Sequence, residues 1–312
     1  MRKIVSLLLL VVFVFVSCAT QVPITYEKAA KYEMREYRDL SVELVEPYPF
    51  NVFDSSTKKI ESTVEEIPFI IYPTGSLFSE RRLAELTTKH LTDKLSKSNY
   101  FTLTNYGSAH LTSRISRMNF TQYVYEKVVE EGKVEYYLRQ RGEMTLSFAI
   151  IDSKWHDTIY KDSLSESFEV DKKLNLIEDL ILFAPDPLIE FEKLSISLTE
   201  KVVNLLAPQK ITTYVSLMKN KPENFEAQKA YEVAKQRLYP LAAQMFLEVW
   251  DNYNHYPSAY NAALLKEAMG QREEAILLME KLYASTFDSK VLRQLNRMVR
   301  YQMEEELAKQ QY

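Results

Sequence analysis

The sequence predicts an α+β domain, with a mixed and largely antiparallel sheet packed with helices, followed by an all-α domain of helical repeats. Hydrophobic residues recur with a period of two in several segments before Pro208, whereas almost every segment after it has helical spacing. The chain has 312 residues, and domains of roughly 100–200 residues are usual, so two domains are expected. We place them at 37–208 and 213–312.

The N-terminus has the pattern of an export signal. Two basic residues precede an apolar run over 4–16, which is followed by Ser17 and then by Cys18, the only cysteine in the chain. As a helix this run spans about 20 Å, which is short of the ~30 Å thickness of the membrane hydrocarbon, so a cleaved signal is favoured over a transmembrane helix. We interpret 1–17 as a signal peptide and 18–36 as a polar tether.

The residues Phe15-Val16-Ser17-Cys18 resemble the lipobox of bacterial lipoproteins. The resemblance implies that Cys18 becomes the mature N-terminus and is the lipid attachment site. Several acyl chains would hold the protein firmly on a membrane, because each buried methylene contributes ~0.8 kcal/mol. Ala19, where Asp would retain the protein, implies an outer-membrane location facing the periplasm. An incidental cysteine inside a plain secretory signal is the alternative.

Strands and helices alternate in the first domain. Leucines at helical spacing predict an amphipathic helix over 79–98. The strongest strand pattern covers 134–150, where hydrophobic residues occupy most of the even positions and mostly polar residues the odd ones, as in a sheet with one face toward solvent. The turn at 131–133 predicts a hairpin between this strand and 118–128. The other expected strands are 41–46, 67–72, 100–104, 109–115 and 158–168, and the other expected helices are 174–183 and 188–206.

The second domain contains a weak internal repeat. Ala230 and Ala242 recur 33 residues later as Ala263 and Ala275, and small residues at such positions let paired helices pack closely. The pattern resembles the tetratricopeptide repeat, and we expect a final capping helix over 288–311.

The order of elements in the first domain also carries a resemblance. The helix over 79–98, the strand Tyr100-Phe101-Thr102-Leu103, the strand Ala109-His110-Leu111-Thr112 and the closing helix over 188–206 follow one another before Pro208. This order resembles the CsgG/LpoB-type periplasmic α/β domain, which occurs in the curli-secretion lipoprotein and in activators of peptidoglycan synthases. Lipoproteins that join such a domain to tetratricopeptide helices have no assigned activity.

The sequence offers little that is typical of catalysis. The five glycines do not have the spacing of a phosphate-binding loop, and the four histidines are too far apart in sequence to form a ligand-pair motif. A G-x-S-x-G nucleophile elbow is absent. The net charge of -4 disfavours nucleic acid as a partner. We therefore predict no catalytic residue, no cofactor, no metal and no enzymatic activity.

The sequence favours a non-enzymatic, membrane-anchored envelope lipoprotein that binds other envelope proteins through its helical repeats, as a scaffold or an accessory or assembly factor. A subunit of an outer-membrane secretion pore of the curli-channel type and a periplasmic hydrolase are the alternatives. In tetratricopeptide proteins the first helix of each unit lines a groove for partners. The resemblance therefore implies a partner-binding role for Tyr231, Lys235, Tyr260 and Glu267. The other interpretation is that two units are too few for a groove and that the two tyrosine rings pack on the first domain. The partner and the oligomeric state are left open.

Overall fold

The computed structural model describes residues 20–48, 80–128, 134–174 and 186–312. It divides the chain into two compact units. We call Ala30–Ala207 the sheet unit, and we call the residues up to Ala29 together with Pro208–Gln311 the helical unit. The expected features outside the described residues are the signal peptide at 1–17, Cys18, the strand at 67–72, the turn at 131–133 and nearly all of the helix at 174–183.

The predicted fold class is confirmed, because a mixed sheet with helices precedes a run of helices. In chain order the elements are β1 (Gln21–Lys28), β2 (Asp39–Val42), α1 (Glu80–Lys97), β3 (Thr102–Leu103), β4 (Ala109–Val128), β5 (Val134–Asp152), β6 (Thr158–Leu174), α2 (Pro187–Leu206), β7 (Gln209–Ser216), α3 (Phe225–Lys235), α4 (Tyr239–Tyr253), α5 (Tyr256–Ala268), α6 (Arg272–Thr286) and α7 (Ser289–Gln310).

The sheet unit contains a five-stranded sheet in the order β3-β2-β4-β5-β6. Strand β2 pairs in parallel with β3 and β4, and the three long strands β4, β5 and β6 are antiparallel. The expected alternation in β5 is present from Leu138 to Ile150: Leu138, Met144, Leu146 and Ile150 are buried, and the side chains at the odd positions between them are partly or fully exposed. The core therefore lies on one face of the sheet.

Helices α1 and α2 supply the other half of that core. The buried side of α1 includes Leu83, Leu91 and Leu95 at helical spacing. Helix α2 begins after Asp186, whose carboxylate accepts a hydrogen bond from the backbone N–H of Leu188 at 2.9 Å, and this cap satisfies an otherwise unpaired donor. Pro187 occupies the first turn, where its missing N–H costs nothing.

The long strands are joined by charged pairs on the face opposite to the core. Arg139 donates to both carboxylate oxygens of Asp171, at 2.6 and 2.7 Å. Arg141 donates to Glu169 at 2.5 Å. On the core side Gly142 leaves room for an aromatic ring, since a Cβ at this position would lie 2.2 Å from Cε1 of Phe168.

The helical unit begins with a segment that we expected to be a tether. Within 18–36 the chain forms β1, which pairs antiparallel with β7, with Gln21 opposite Ser216 and Lys28 opposite Gln209. Sequence reasoning missed both strands because each is short and each lacks a partner nearby in the chain. The sheet unit is thus inserted between the two strands of a ribbon that belongs to the helical unit.

Helices α3 to α7 follow one another through short turns, which is typical of antiparallel neighbours. The four alanines of the sequence repeat are all fully buried: Ala230, Ala242, Ala263 and Ala275. Close helix packing is therefore what these small residues provide. The final helix expected over 288–311 is α7.

Candidate functional site

The face of α5 and α7 in the helical unit is covered by the protein's own first strand. Strand β1 contacts both helices. Val22 and Ile24 are completely buried and belong to the same hydrophobic cluster as Tyr231 and Tyr260. We call this surface, with the strand on it, the β1 docking site. A segment only a few residues after Cys18 is thus part of the core of a unit formed mainly by the C-terminal third of the chain.

An aromatic stack joins β1 to α7. The rings of Tyr26 and Tyr301 lie with their centroids 3.8 Å apart and an interplanar angle of 9°. Burial raises the pKa of Tyr26, with the neighbouring Tyr301 as a second cause. The hydroxyl therefore stays neutral at physiological pH.

A buried ionic cluster lies beside this stack. The side chain of Glu267 on α5 has no solvent exposure. Arg297 on α7 donates to both of its oxygens, at 2.9 and 2.5 Å. Arg272, at the start of α6, lies with its Nε 3.8 Å from Glu267 and also pairs with Glu305. Burial raises the pKa of Glu267, and the guanidinium groups act in the opposite direction. Two carboxylates face two guanidinium groups, so the cluster is formally neutral.

The same cluster holds β1 directly. Arg272 donates from Nη2 to the backbone carbonyl of Thr25 at 3.1 Å. A charged donor on a backbone carbonyl is among the stronger hydrogen bonds in proteins. The ionic groups of the site are therefore used to fix a strand, and their arrangement explains why a charged cluster is tolerated in the core.

A second set of polar contacts fixes the segment between β7 and α3. The side-chain amide of Asn261 accepts from the backbone N–H of Met218 at 2.6 Å and donates to its carbonyl at 2.9 Å. His255 has its Nε2 2.9 Å from the carbonyl of Pro222 and its Nδ1 2.7 Å from Oγ of Ser258. A carbonyl can only accept, so Nε2 carries a proton and donates.

Three of the four predicted partner-binding residues are buried. Tyr231 is 9% exposed and packs edge-on against Phe246, with ring centroids 5.4 Å apart. Burial raises the pKa of Tyr231 to about 12. Tyr260 and Glu267 are 6% and 1% exposed. These three side chains are almost completely enclosed and do not line an open groove. The two tyrosines belong to the hydrophobic core of the helical unit itself.

Lys235 differs from the other three. It is exposed on α3, where its Nζ pairs with Glu232 at 2.7 Å across one helical turn. Exposed pairs of this kind contribute little to stability. Lys235 therefore remains available to a partner. The predicted lipid attachment site, Cys18, lies outside the described residues.

Sequence reasoning missed several residues that make these contacts: Tyr26, Asn261, Arg272, Arg297 and Tyr301. Their contacts join residues up to 247 positions apart. A sequence pattern has no means of reporting such pairs. The one local signal is the spacing of four between Arg297 and Tyr301, which places both on the same side of α7.

The sheet unit also brings a serine and a histidine together. Oγ of Ser41 on β2 shares a hydrogen bond with Nδ1 of His110 on the adjacent strand β4. Ser41 is 8% exposed, and its hydroxyl also lies 3.4 Å from the carbonyl of Ala109. Its position between two paired strands suits a structural link. Nucleophilic catalysis would in addition need an orienting acid and an oxyanion site.

The described residues contain neither a candidate metal site nor a candidate membrane-spanning helix. Within 20–48, 80–128, 134–174 and 186–312, no group of three or more His, Cys, Asp or Glu side chains is placed to hold a metal ion. In the same ranges no helix combines the length and the apolar character needed to cross a membrane.

Comparison with known proteins gives structural similarities of limited extent. No family model and no curated protein sequence matches the chain. A protein from Xanthomonas campestris assigned to DUF330 is 11% identical, with a TM-score of 0.30, over 56% of this chain and 85% of its own. A minor lipoprotein from Acinetobacter baumannii is 14% identical, with a TM-score of 0.25, over 56% of this chain and 99% of its own.

A third solved structure, a neuraminyllactose-binding hemagglutinin homolog from Helicobacter pylori, is 18% identical, with a TM-score of 0.27, over 56% of this chain and 83% of its own. Similarity at this level describes what the chain is like and supports no inference about its activity.

Proposed function

We propose that the protein is a non-enzymatic envelope lipoprotein, anchored in the outer membrane through Cys18, that acts as a scaffold or accessory factor by binding other envelope proteins. The observation that carries the proposal is the position of β1. It begins at Gln21, three residues after Cys18, and its side chains are buried in the helical unit. An acyl anchor at Cys18 would therefore be coupled directly to a folded surface.

The contacts of β1 give this coupling its strength. The strand is held by ladder hydrogen bonds to β7, by the Tyr26–Tyr301 stack and by Arg272. A flexible tether would let the protein sample a wide volume above the membrane. A docked strand instead holds the helical unit close to the anchor, which suits a protein that presents a surface to neighbours in the same membrane.

The binding surface that we propose is on the outer side of the helices. We consider α3 to α7 to be tetratricopeptide-like, and the buried alanine repeat supports this. Because β1 covers α5 and α7 on one side, partners must use other faces. On α7 the side chains of Val299, Met303 and Leu307 are 37%, 59% and 51% exposed at successive four-residue intervals. Exposed apolar rows of this kind are frequent at protein interfaces.

Site-specific photo-crosslinking in envelopes tests the binding role. A photoreactive amino acid at Met303 or at Lys235 should give discrete adducts with envelope proteins. The same group at Lys161, an exposed position on β6, is the control and should give few. Adducts at Lys161 alone would contradict binding through the helices.

Replacement of the anchor residue tests the location. Cys18→Ala should release the protein from the membrane fraction or leave it unprocessed. Mass spectrometry of the wild-type mature protein should find acyl chains on Cys18. Normal processing of Cys18→Ala, with wild-type partitioning into detergent, would contradict a lipid anchor.

The apolar face of strand β5 argues against the pore alternative. We consider the sheet unit to be a CsgG/LpoB-like domain, a family in which hairpins can form a channel. In such a channel the face toward the lumen can be charged, but the face toward lipid must be apolar. On the core side of β5, which would have to face lipid, Gln140 is 1% exposed and Gly142 follows two residues later. A polar amide in hydrocarbon is costly, so a half-buried soluble sheet fits this strand better.

A further inference from the structure

The turns at one end of the helical unit lie side by side. Helices α3 to α7 alternate in direction, so the α4–α5 turn, the α6–α7 turn and the segment before α3 share one end. Two contacts confirm this arrangement. His255, in the α4–α5 turn, contacts the carbonyl of Pro222 before α3 at 2.9 Å. Tyr256, at the start of α5, donates to Asp288 in the α6–α7 turn at 2.8 Å.

This end carries three exposed aromatic rings. Phe225 is the first residue of α3, Tyr253 is the last residue of α4, and Phe287 directly follows α6. Their side chains are 74%, 60% and 77% exposed. We call the surface formed by these three residues the aromatic end. Large rings left in water have an unfavourable free energy, and a cluster of them at one end of a helical array indicates a binding surface.

Strand β1 starts at the aromatic end. The backbone N–H of Leu217, which follows β7 and precedes α3, donates to the carbonyl of Thr20 at 2.9 Å. Five residues further on, the carbonyl of Thr25 accepts from Arg272, which is the first residue of α6 and so lies toward the opposite end. The strand therefore runs from the aromatic end toward the other end.

Cys18 precedes Thr20 by only two residues. Two residues of even fully extended chain span ~7 Å. An acyl chain on Cys18 thus enters its membrane within a short distance of the aromatic end. The length of chain between the anchor and the fold decides which surface of the helical unit meets the lipid.

We propose that the aromatic end lies on the phospholipid bilayer that holds the acyl chains of Cys18, with the rings of Phe225, Tyr253 and Phe287 in its interfacial layer. This proposal rests on the proposed function, because it takes Cys18 as the anchor. Aromatic side chains favour the membrane–water interface, where the ring leaves water while polar neighbours stay hydrated.

The charges around the rings point to apolar contact as the main source of binding. Exposed lysines, Lys219 and Lys221, lie close to the exposed acid Glu223. Lys229 has its Nζ 4.4 Å from the centroid of the Phe225 ring, but it also pairs with Glu226. Since both signs are present, a zwitterionic bilayer should suffice and added salt should have little effect.

Single thiols at the three positions test the proposal. Cys18 is the only cysteine and would be blocked by acylation, so Phe225→Cys, Tyr253→Cys or Phe287→Cys introduces a sole free thiol for a bimane label. Leu238→Cys is the matched control, because Leu238 is 49% exposed in the α3–α4 turn at the opposite end. Thermal melts should show that all four variants fold, since each replaces an exposed side chain.

The full-length acylated variants are placed in phosphatidylcholine vesicles that contain a lipid with a nitroxide on its headgroup. Labels at the three aromatic positions should lose several-fold more fluorescence than the label at Leu238, and aqueous iodide should quench them less. Equal quenching of all four labels by both agents would overturn the proposal. So would quenching that changes only when other envelope proteins are added, because that result would assign the rings to a protein partner.

Mass spectrometry of the protein in the same preparations shows whether Cys18 carries acyl chains, and this result separates the present proposal from the proposed function. Acyl mass on Cys18 with unquenched aromatic labels rejects the aromatic end alone and leaves the lipoprotein proposal standing. A mature protein without acyl mass rejects the lipoprotein proposal, and it removes the anchor from which the membrane-facing end was deduced.

Discussion

Glu267 shows how a single residue can be mistaken for a binding residue. Its position on the first helix of a repeat suggests contact with a partner, but its side chain is fully buried between two arginines. The buried charge is tolerated because Arg297 and Arg272 neutralise it and because Arg272 also fixes Thr25 of β1. The free energy of this arrangement depends on all three groups being present together.

Removal of this carboxylate should be strongly destabilising. Glu267→Ala leaves Arg272 and Arg297 buried without their shared counter-ion, so we expect a loss of about 3–5 kcal/mol in the free energy of unfolding. The matched control is Glu232→Ala, which breaks only exposed contacts, with Lys235 and Gln228, and should cost less than about 1 kcal/mol. Urea denaturation of both variants measures the difference. Equal midpoints for the two variants would contradict the structural role of the cluster.

A second residue-scale prediction concerns Asp162 in the sheet unit. Hydrogen bonds from Lys31, from Tyr32 and from the backbone of Ser163 lower its pKa to about 2. A carboxyl whose folded pKa lies below its unfolded value of about 3.9 stabilises the fold above that value. This contribution is lost as the pH falls from about 5 toward 2.

The comparison with Asp162→Asn isolates this group from the other carboxylates. At neutral pH the variant should melt below the wild type, and the difference between the two melting temperatures should shrink as the pH approaches 2. Thermal melts followed by circular dichroism between pH 2 and 7 provide the measurement. A difference that stays constant over this range would show that Asp162 is not stabilised in its charged form.

Strand β1 is the element that links the fold to its proposed location. Its inward side chains Val22 and Ile24 are completely buried, whereas the side chain of Thr25 is exposed and its hydroxyl lies 3.0 Å from that of Thr212 across the ribbon. Strand β1, near the N-terminus, therefore forms part of the hydrophobic core of the C-terminal helices.

Truncation of one inward side chain should loosen this part of the core. Ile24→Ala removes a fully buried side chain, for which a loss of about 2–5 kcal/mol is typical. Thr25→Ala, one residue along the same strand, should change the stability by less than about 1 kcal/mol. Hydrogen exchange should also speed up along β7 in Ile24→Ala. Equal stabilities of the two variants would show that β1 is not part of the folded core.

The elements that the sequence predicts well are those whose partners are near in the chain or whose pattern is long. The even positions of β5 from Leu138 to Ile150 are buried as the alternation indicates, and α2 and α7 are found close to their expected bounds. Strands β1 and β7 were not predicted, because eight residues each give too short a pattern and because their pairing spans the whole sheet unit. The docking site was missed for the same reason, since it exists only after that pairing.

At the scale of the whole molecule, the helical unit is discontinuous in sequence. The helical unit contains both the first described residues and the C-terminal helices, and the sheet unit lies between β1 and β7 in sequence. Lys28 and Gln209 are partners across the ribbon, and paired residues of antiparallel strands have α-carbons about 5 Å apart. A two-residue turn can close such a gap.

The insertion predicts that the sheet unit can be removed without unfolding the helical unit. A chain of residues 20–28, an Asn-Gly turn and residues 209–312 should fold and melt cooperatively, because β1, β7 and α3 to α7 keep all of their mutual contacts. The control is 209–312 alone. It lacks Val22, Ile24 and the strand that Arg272 holds, so it should melt at a much lower temperature or remain unfolded. If both chains melt alike, β1 adds nothing to the helical unit, and the coupling of the membrane anchor to that unit through β1 would have to be abandoned.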